Sequence, residues 1–169
     1  MMRPQEGDYN SFYQGYIDRV IHLDVMAALA FAHEKTLNTL ESIPEEKGSF
    51  RYAEGKWSIK EVIGHMIDCE RVMAYRALRF ARADTTPLEG FDEKLYAPNS
   101  NVDPFKVKEL VDHLKIVRVS TVDLFMTFSE EMLGRKGLAN ESLCTVLALG
   151  YIIGGHALHH CNVLTERYL

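Results

Sequence analysis

The segment IIGGHALHHCNVL, residues 152–164, concentrates three of the chain's seven histidines within five positions. At about 100° per residue in a helix, His156 and His160 lie about 40° apart and one turn along, so two imidazoles can aim at one point. They share a stripe with Leu149, Ile152, Ile153, Val163 and Leu164, whereas His159 turns with Gly155, Asn162 and Glu166 toward solvent. Two imidazoles side by side on an apolar face are costly to bury unless each finds a partner. A shared divalent ion would supply that partner, because neutral imidazole is a common ligand of zinc, nickel, copper and iron. Separate hydrogen bonds to each ring would do so as well.

Two nitrogens are too few for a stable ion site, so a third ligand has to come from another segment. His65 is the best candidate, since it stands beside Val62, Cys69 and Val72 and its surroundings, VIGHM, parallel IGGHA. A glycine beside each histidine would let a helix backbone or a substrate approach closely, at about 1 kcal/mol relative to alanine. Plain helix packing would use the same glycines. Glu61 and Asp68, four before and three after His65, are weaker candidates for a place at the site. Glu61 also suits a capping box, and Asp68 suits a solvated helix position. Tyr75, Arg76 and Arg79 follow on the same segment and could orient an anionic substrate, although packing or solvent exposure is the better account of them. The spacing HxxxH resembles that of zinc peptidases, but Ala157 stands where their general-base glutamate would be, so that activity is not expected. His22, His33 and His113 have no comparable arrangement.

Four segments with helical periodicity must position these residues, and none of the chain shows sustained strand alternation. The first is expected from about Phe12 to Leu40, ended by SIPEEKG. The second opens at Ser58 with Glu61 three later, a capping box flanked by the staple pair Trp57 and Val62, and runs toward Asp84. The third is expected from the cap Asp103 and Pro104 to about Phe128. The fourth is expected from near Ser142 through the histidines to the C-terminus. Four long helices make a four-helix bundle the expected architecture. About twenty residues join the second and third helices, long enough for a crossover that lets those two run parallel, or for a lid over one end of a site. A simple surface excursion fits the same length.

The 169 residues suit one domain, 1–169, and 47% hydrophobic with 25% charged residues is a globular balance. A net charge of -5 gives no attraction for phosphate backbones, and the basic residues are scattered, so no nucleic-acid partner is expected. Cys69, Cys144 and Cys161 are odd in number and widely spaced, which points to a reducing cytoplasm. No apolar run approaches a membrane span or signal core.

The strings KWSIKEVIGHMIDCERVMAYRALRFARAD and YIIGGHALHHCNVLTERYL, with LEGFDEKLYAP between them, resemble the DinB/YfiT-like superfamily. The GH of the second helix and the HxxHH of the fourth occur together in the right order. The resemblance implies an up-down-down-up bundle with a divalent metal, nickel or zinc, held by His65, His156 and His160. It also implies a homodimer and a small-molecule substrate. Relatives include thiol-dependent S-transferases of the bacillithiol type and a mycothiol-dependent isomerase, so a low-molecular-weight thiol is the expected co-substrate. A metal-dependent hydrolase and a non-catalytic metal-binding or stress-response protein are the alternatives.

Overall fold

The segment expected as one helix over 12–40 is divided in two. In a computed structural model, which describes residues 2–169, a 3-10 turn at Ser11–Tyr13 leads into the short helix α1, Gln14–Ile17, and α2 begins afresh at Val25–Leu40. The break has a local cause: Asp24 is extended and its carboxylate accepts from the backbone N–H of Ala27 at 2.8 Å, capping a new helix. The capping box at Ser58 starts α3, Ile59–Ala81. Ser58 Oγ accepts from Glu61 N at 3.2 Å and the Glu61 carboxylate accepts from Ser58 N at 2.6 Å.

The connection after α3 holds a further short helix, α4, Glu93–Asn99. Next, α5 spans Val107–Met126, starting later than the Asp103–Pro104 signal because the start is capped from elsewhere. Glu45 accepts from Val107 N at 2.9 Å, and Glu109 accepts from Lys106 N at 2.7 Å. A short α6, Glu130–Gly134, precedes a hairpin that the sequence reading did not contain: β1, Lys136–Ala139, and β2, Ser142–Thr145, pair antiparallel. The two turn residues, Asn140 and Glu141, have φ of 49° and 60°, the conformation of a tight two-residue hairpin. The last helix, α7, therefore starts at Val146 and runs to Arg167, with Thr145 Oγ1 accepting from Ala148 N at 3.1 Å.

The long helices α2, α3, α5 and α7 form a four-helix bundle in which α7 packs between α2 and α3 and α5 closes the ring. Gly150 lies against Val25 and Gly154 against Ala28 and Ala32, so α7 and α2 advance together. The Tyr168 hydroxyl donates to the Trp57 carbonyl at 2.8 Å while His65 meets His156, so α3 opposes α7. Lys60 reaches the Asp103 carbonyl and Glu70 meets Arg118, so α3 and α5 share a direction. The connection between those two is more than a surface excursion. Leu88 exchanges backbone hydrogen bonds with β1 and its turn, donating to the Leu138 carbonyl and accepting from Asn140 N, both at 2.9 Å.

The interior holds two apolar clusters, one around Phe80, Phe125 and Tyr151 and one around Ile63, Leu110 and Leu164. It also buries one ion pair: Arg118 donates to the two Glu70 carboxylate oxygens at 2.7 and 2.9 Å and to the Leu29 carbonyl at 3.1 Å. Among the described residues no helix is long and apolar enough to cross a membrane.

Candidate metal centre

Two helices running in opposite directions bring the three histidines together across ninety residues of sequence. His65 projects from the second turn of α3, and His156 and His160 project from successive turns of α7. The Nε2 atoms of His65 and His160 lie 3.0 and 3.1 Å from the Nε2 of His156. Ligand atoms of all three lie within 4.8 Å of one another.

Hydrogen bonding among three neutral rings does not account for this arrangement. His156 Nε2 carries either one proton or one lone pair, so it can engage only one of its two neighbours properly. Three nitrogens directed at a common point are instead what a shared cation satisfies. Two nitrogens held at ~2.0–2.1 Å from one ion would themselves be separated by roughly 2.9–3.4 Å, which matches the observed contacts. The donor set therefore fits a divalent metal.

The electrostatics point the same way. Burial pushes the His65 imidazole down to about 4 and the His160 imidazole to about 3, and it holds His156 well below its ordinary value. All three are therefore neutral at physiological pH, the protonation state a ligand requires. His159 lies outside the group, half-buried rather than turned fully to solvent, with its ring 5.3 Å from that of Tyr16 and 5.0 Å from that of His160.

Aromatic rings hold the imidazoles in place. Trp57 lies 4.9 Å from His65, and Tyr16 meets His156 edge-on at 5.4 Å. The glycines beside the ligands serve this packing. A Cβ on Gly155 would come within 1.9 Å of the Tyr16 carbonyl oxygen, so only glycine lets α1 seat itself against α7. A Cβ on Gly64 would meet the Val102 side chain at 2.7 Å.

The three histidines line a cavity of about 440 Å³. Tyr13 and Tyr16 close one side, while Phe91 and Glu93 from the crossover, with Asn140 and Ser142 from the hairpin, contribute another. Cys69, Met73 and Arg76 continue the α3 wall beyond His65. Burial pushes the thiols of Cys69 and Cys144 up to about 12 and raises that of Cys161, so none of the chain's cysteines supplies a thiolate near neutral pH.

Of the weaker candidates only Arg76 belongs to this wall. Glu61 is engaged by Ser58 and by an ion pair with Arg51. Asp68 pairs with Arg71 at 3.5 Å and does not line the cavity. Tyr75 is exposed and hydrogen-bonded to Arg79, which also pairs with Asp84. The helical period separates them, because His65, Cys69 and Arg76 repeat at spacings of four and seven on one face of α3. The sequence reading missed Tyr13, Tyr16, Trp57, Glu93, Asn140 and Ser142. Trp57 carried a signal, directly ahead of the capping box and eight residues before His65, but the others reach the site through tertiary contacts alone.

Residues 28–164 match the DinB superfamily. A protein of Oceanobacillus iheyensis, named as a candidate metal-dependent hydrolase, is 30% identical over 98 residues, 56% of this chain and 54% of its own length. The chain thus spans about half the length of that curated relative. Among solved structures, YfiT from Bacillus subtilis is described as a candidate metal-dependent hydrolase with an unusual four-helix bundle topology. It superposes with a TM-score of 0.72 at 18% identity, covering 98% of this chain and 90% of its own. The mycothiol-dependent maleylpyruvate isomerase superposes with a TM-score of 0.69 at 9% identity, over 90% of this chain and 62% of its own. At these identities the two structures share the fold.

Proposed function

The chain belongs to the DinB superfamily, and we propose that it is a metal-dependent enzyme acting on a small molecule in the cavity floored by His65, His156 and His160. The observation that carries this reading is the convergence of three neutral imidazoles, His156 buried and His65 and His160 half-buried, on one point beside a cavity of about 440 Å³. A divalent ion held there, nickel or zinc by resemblance, would supply Lewis acidity that polarises an electrophile and favours the deprotonated form of a nucleophile.

The chain's own residues define the rest. Three neutral ligands leave the charge of the site uncompensated, so an anionic nucleophile is drawn in. Trp57 and Tyr16 keep the rings in register and cover them with apolar surface, which strengthens electrostatic interactions inside. The nucleophile must come from outside, because Cys69, the one thiol on the cavity wall, is held protonated by burial. A low-molecular-weight thiol transferred to an electrophile is the first reading, supported by the family's thiol-dependent members. Hydrolysis by water is the second, supported by the names of the Oceanobacillus iheyensis and Bacillus subtilis relatives.

Metal analysis of the purified protein beside His65→Ala and His160→Ala tests the centre. About one nickel or zinc per chain is expected, with loss in both variants; unchanged content in either overturns the reading. A panel of thiols with an electrophilic acceptor, run beside ester and amide substrates, then separates transfer from hydrolysis. The homodimer implied by the resemblance is part of the same proposal, and light scattering of the eluted protein checks it.

A further inference from the structure

Arg76 carries a charge that the fold does not balance. Its side chain is 5% exposed and lines the histidine cavity. One guanidinium nitrogen donates to the Glu89 carbonyl at 3.1 Å, another lies 3.8 Å from the Met73 sulfur, and its Cζ stands 5.9 Å from the centre of the Phe91 ring. Tyr13 lies close enough for the guanidinium to oppose the rise that burial imposes on its phenol. All of these partners are neutral. Among the described residues Arg76 makes no ion pair. Arg118, the other buried guanidinium, shows the contrast, since Glu70 holds it through two hydrogen bonds.

Burying a charge without a counter-charge is expensive, and the expense is recovered when an anion binds. Guanidinium presents five N–H donors in a planar fork, and the named backbone and sulfur contacts engage two of its nitrogens. That fork fits a carboxylate bidentately, as it also fits a phosphate. At the Arg76 end of the cavity, apart from the histidines, one guanidinium balances one negative charge, which matches a monoanion there. The side chains shown against Arg76 are apolar or aromatic, Tyr13, Met73 and Phe91, while Asn10, Asn140 and Ser142 add polar groups to the same cavity.

We propose that Arg76 anchors a substrate carboxylate, so that the cavity takes a small monocarboxylate with an apolar body, its reactive end directed at the histidines. This rests on the reading of the cavity as an active site. Arg76 and His65 lie eleven residues apart on α3, about 16 Å along its axis and within about 20° of the same face. The anchoring end and the reacting end are therefore set apart along one wall. In this role Arg76 positions substrate by direct contact and selects for acids over their neutral analogues.

The test uses benzoate and its neutral counterpart benzamide as probes, with the single tryptophan, Trp57 on the same cavity wall, as the fluorescent reporter. Titrations are made on the full chain after chelator treatment, so that ligation of a metal by the carboxylate cannot contribute. Benzoate is expected to bind at least tenfold more tightly than benzamide. Arg76→Met removes that preference, and Arg76→Lys keeps part of it while leaving benzamide unchanged. Inorganic phosphate is expected to displace benzoate only at much higher concentration. Equal binding of the two probes, binding of neither, unchanged benzoate affinity in Arg76→Met, or displacement by phosphate at equal concentration overturns the proposal. If Arg76→Met does not fold by circular dichroism, the wild-type preference and the Arg76→Lys titration decide. Failure of the metal centre would appear in the ion content and not in these titrations.

Discussion

Replacing Gly155 by alanine probes the contact on which one side of the cavity depends. The new Cβ would sit 1.9 Å from the carbonyl oxygen of Tyr16 and 2.4 Å from its carbonyl carbon, well inside any tolerable separation. Because the obstacle is backbone, no side-chain rotation relieves it; α1 must move away from α7. Such overpacking typically costs about 1–3 kcal/mol. Alanine offsets part of this, since it is favoured over glycine in a helix by about 1 kcal/mol. The net expectation is a destabilisation of up to about 2 kcal/mol, or up to roughly 8 °C in Tm for a chain of this size. Gly154 is the internal control. A Cβ there would lie 3.3 Å from the Ala28 carbonyl, a contact relieved by a few tenths of an ångström. Gly154→Ala should therefore stay within about 1 kcal/mol of the parent, because the helix gain offsets the slight crowding. Urea denaturation followed by circular dichroism measures both. Tyr16 rides on α1 against His156, so Gly155→Ala should also weaken benzoate binding more than Gly154→Ala does. Equal stability and equal binding in the two variants would refute the claim that this close approach sets the cavity wall.

The metal-free protein should gain stability as pH rises from about 4 to 6.5. His65 and His160 have folded values of about 4 and about 3, below the unfolded value of 6.5. In that window the unfolded chain binds more protons than the native one. Their contribution is complete above 6.5 and is lost as pH falls toward the folded values. Urea midpoints between pH 5 and 7 should follow this slope, and His65→Ala should flatten it. Arg118→Met leaves the Glu70 carboxylate buried without its partner and should cost about 3–5 kcal/mol in denaturant unfolding. Adding Glu70→Leu should recover most of that loss, and a double variant no more stable than the single one would contradict the pairing. Glu141→Gly should stabilise the protein by up to about 1 kcal/mol, because position 141 has φ of 60°. A lower Tm would argue against the turn.

The chain's local signals determined a good part of this structure. Ser58, Glu61 and the apolar period that follows specify α3, because a capping box and a helical stripe are made by residues within one or two turns of each other. The same periodicity places His156 and His160 on one face of α7 and puts His65, Cys69 and Arg76 on one face of α3. Where an element's boundary depends on a distant partner, local signals pointed elsewhere. The start of α5 waits for the Glu45 carboxylate, sixty-two residues upstream. Ser142–Thr145 extends because Lys136–Ala139 pairs with it, so α7 begins four residues later than its own sequence suggested. The break before Asp24 is not read from the sequence, where 12–40 is expected as one helix; the cap at Asp24 and the docking of α1 at Gly155 give the separated piece its place.

The candidate site divides along the same line. Sequence could name three histidines, since ligand type and helical spacing are properties of single segments. Only the bundle decided that α3 and α7 oppose one another so that three ring nitrogens meet at 3.0 and 3.1 Å. Burial is likewise a tertiary quantity. It keeps the imidazoles neutral, keeps Cys69 protonated, and separates Arg76, enclosed without a counter-ion, from Arg79, which is paired with Asp84 nearer the surface. Tyr13, Tyr16, Phe91 and Asn140 enter the cavity from three segments far apart in the chain. No spacing rule connects them, because their proximity exists only once the helices have packed.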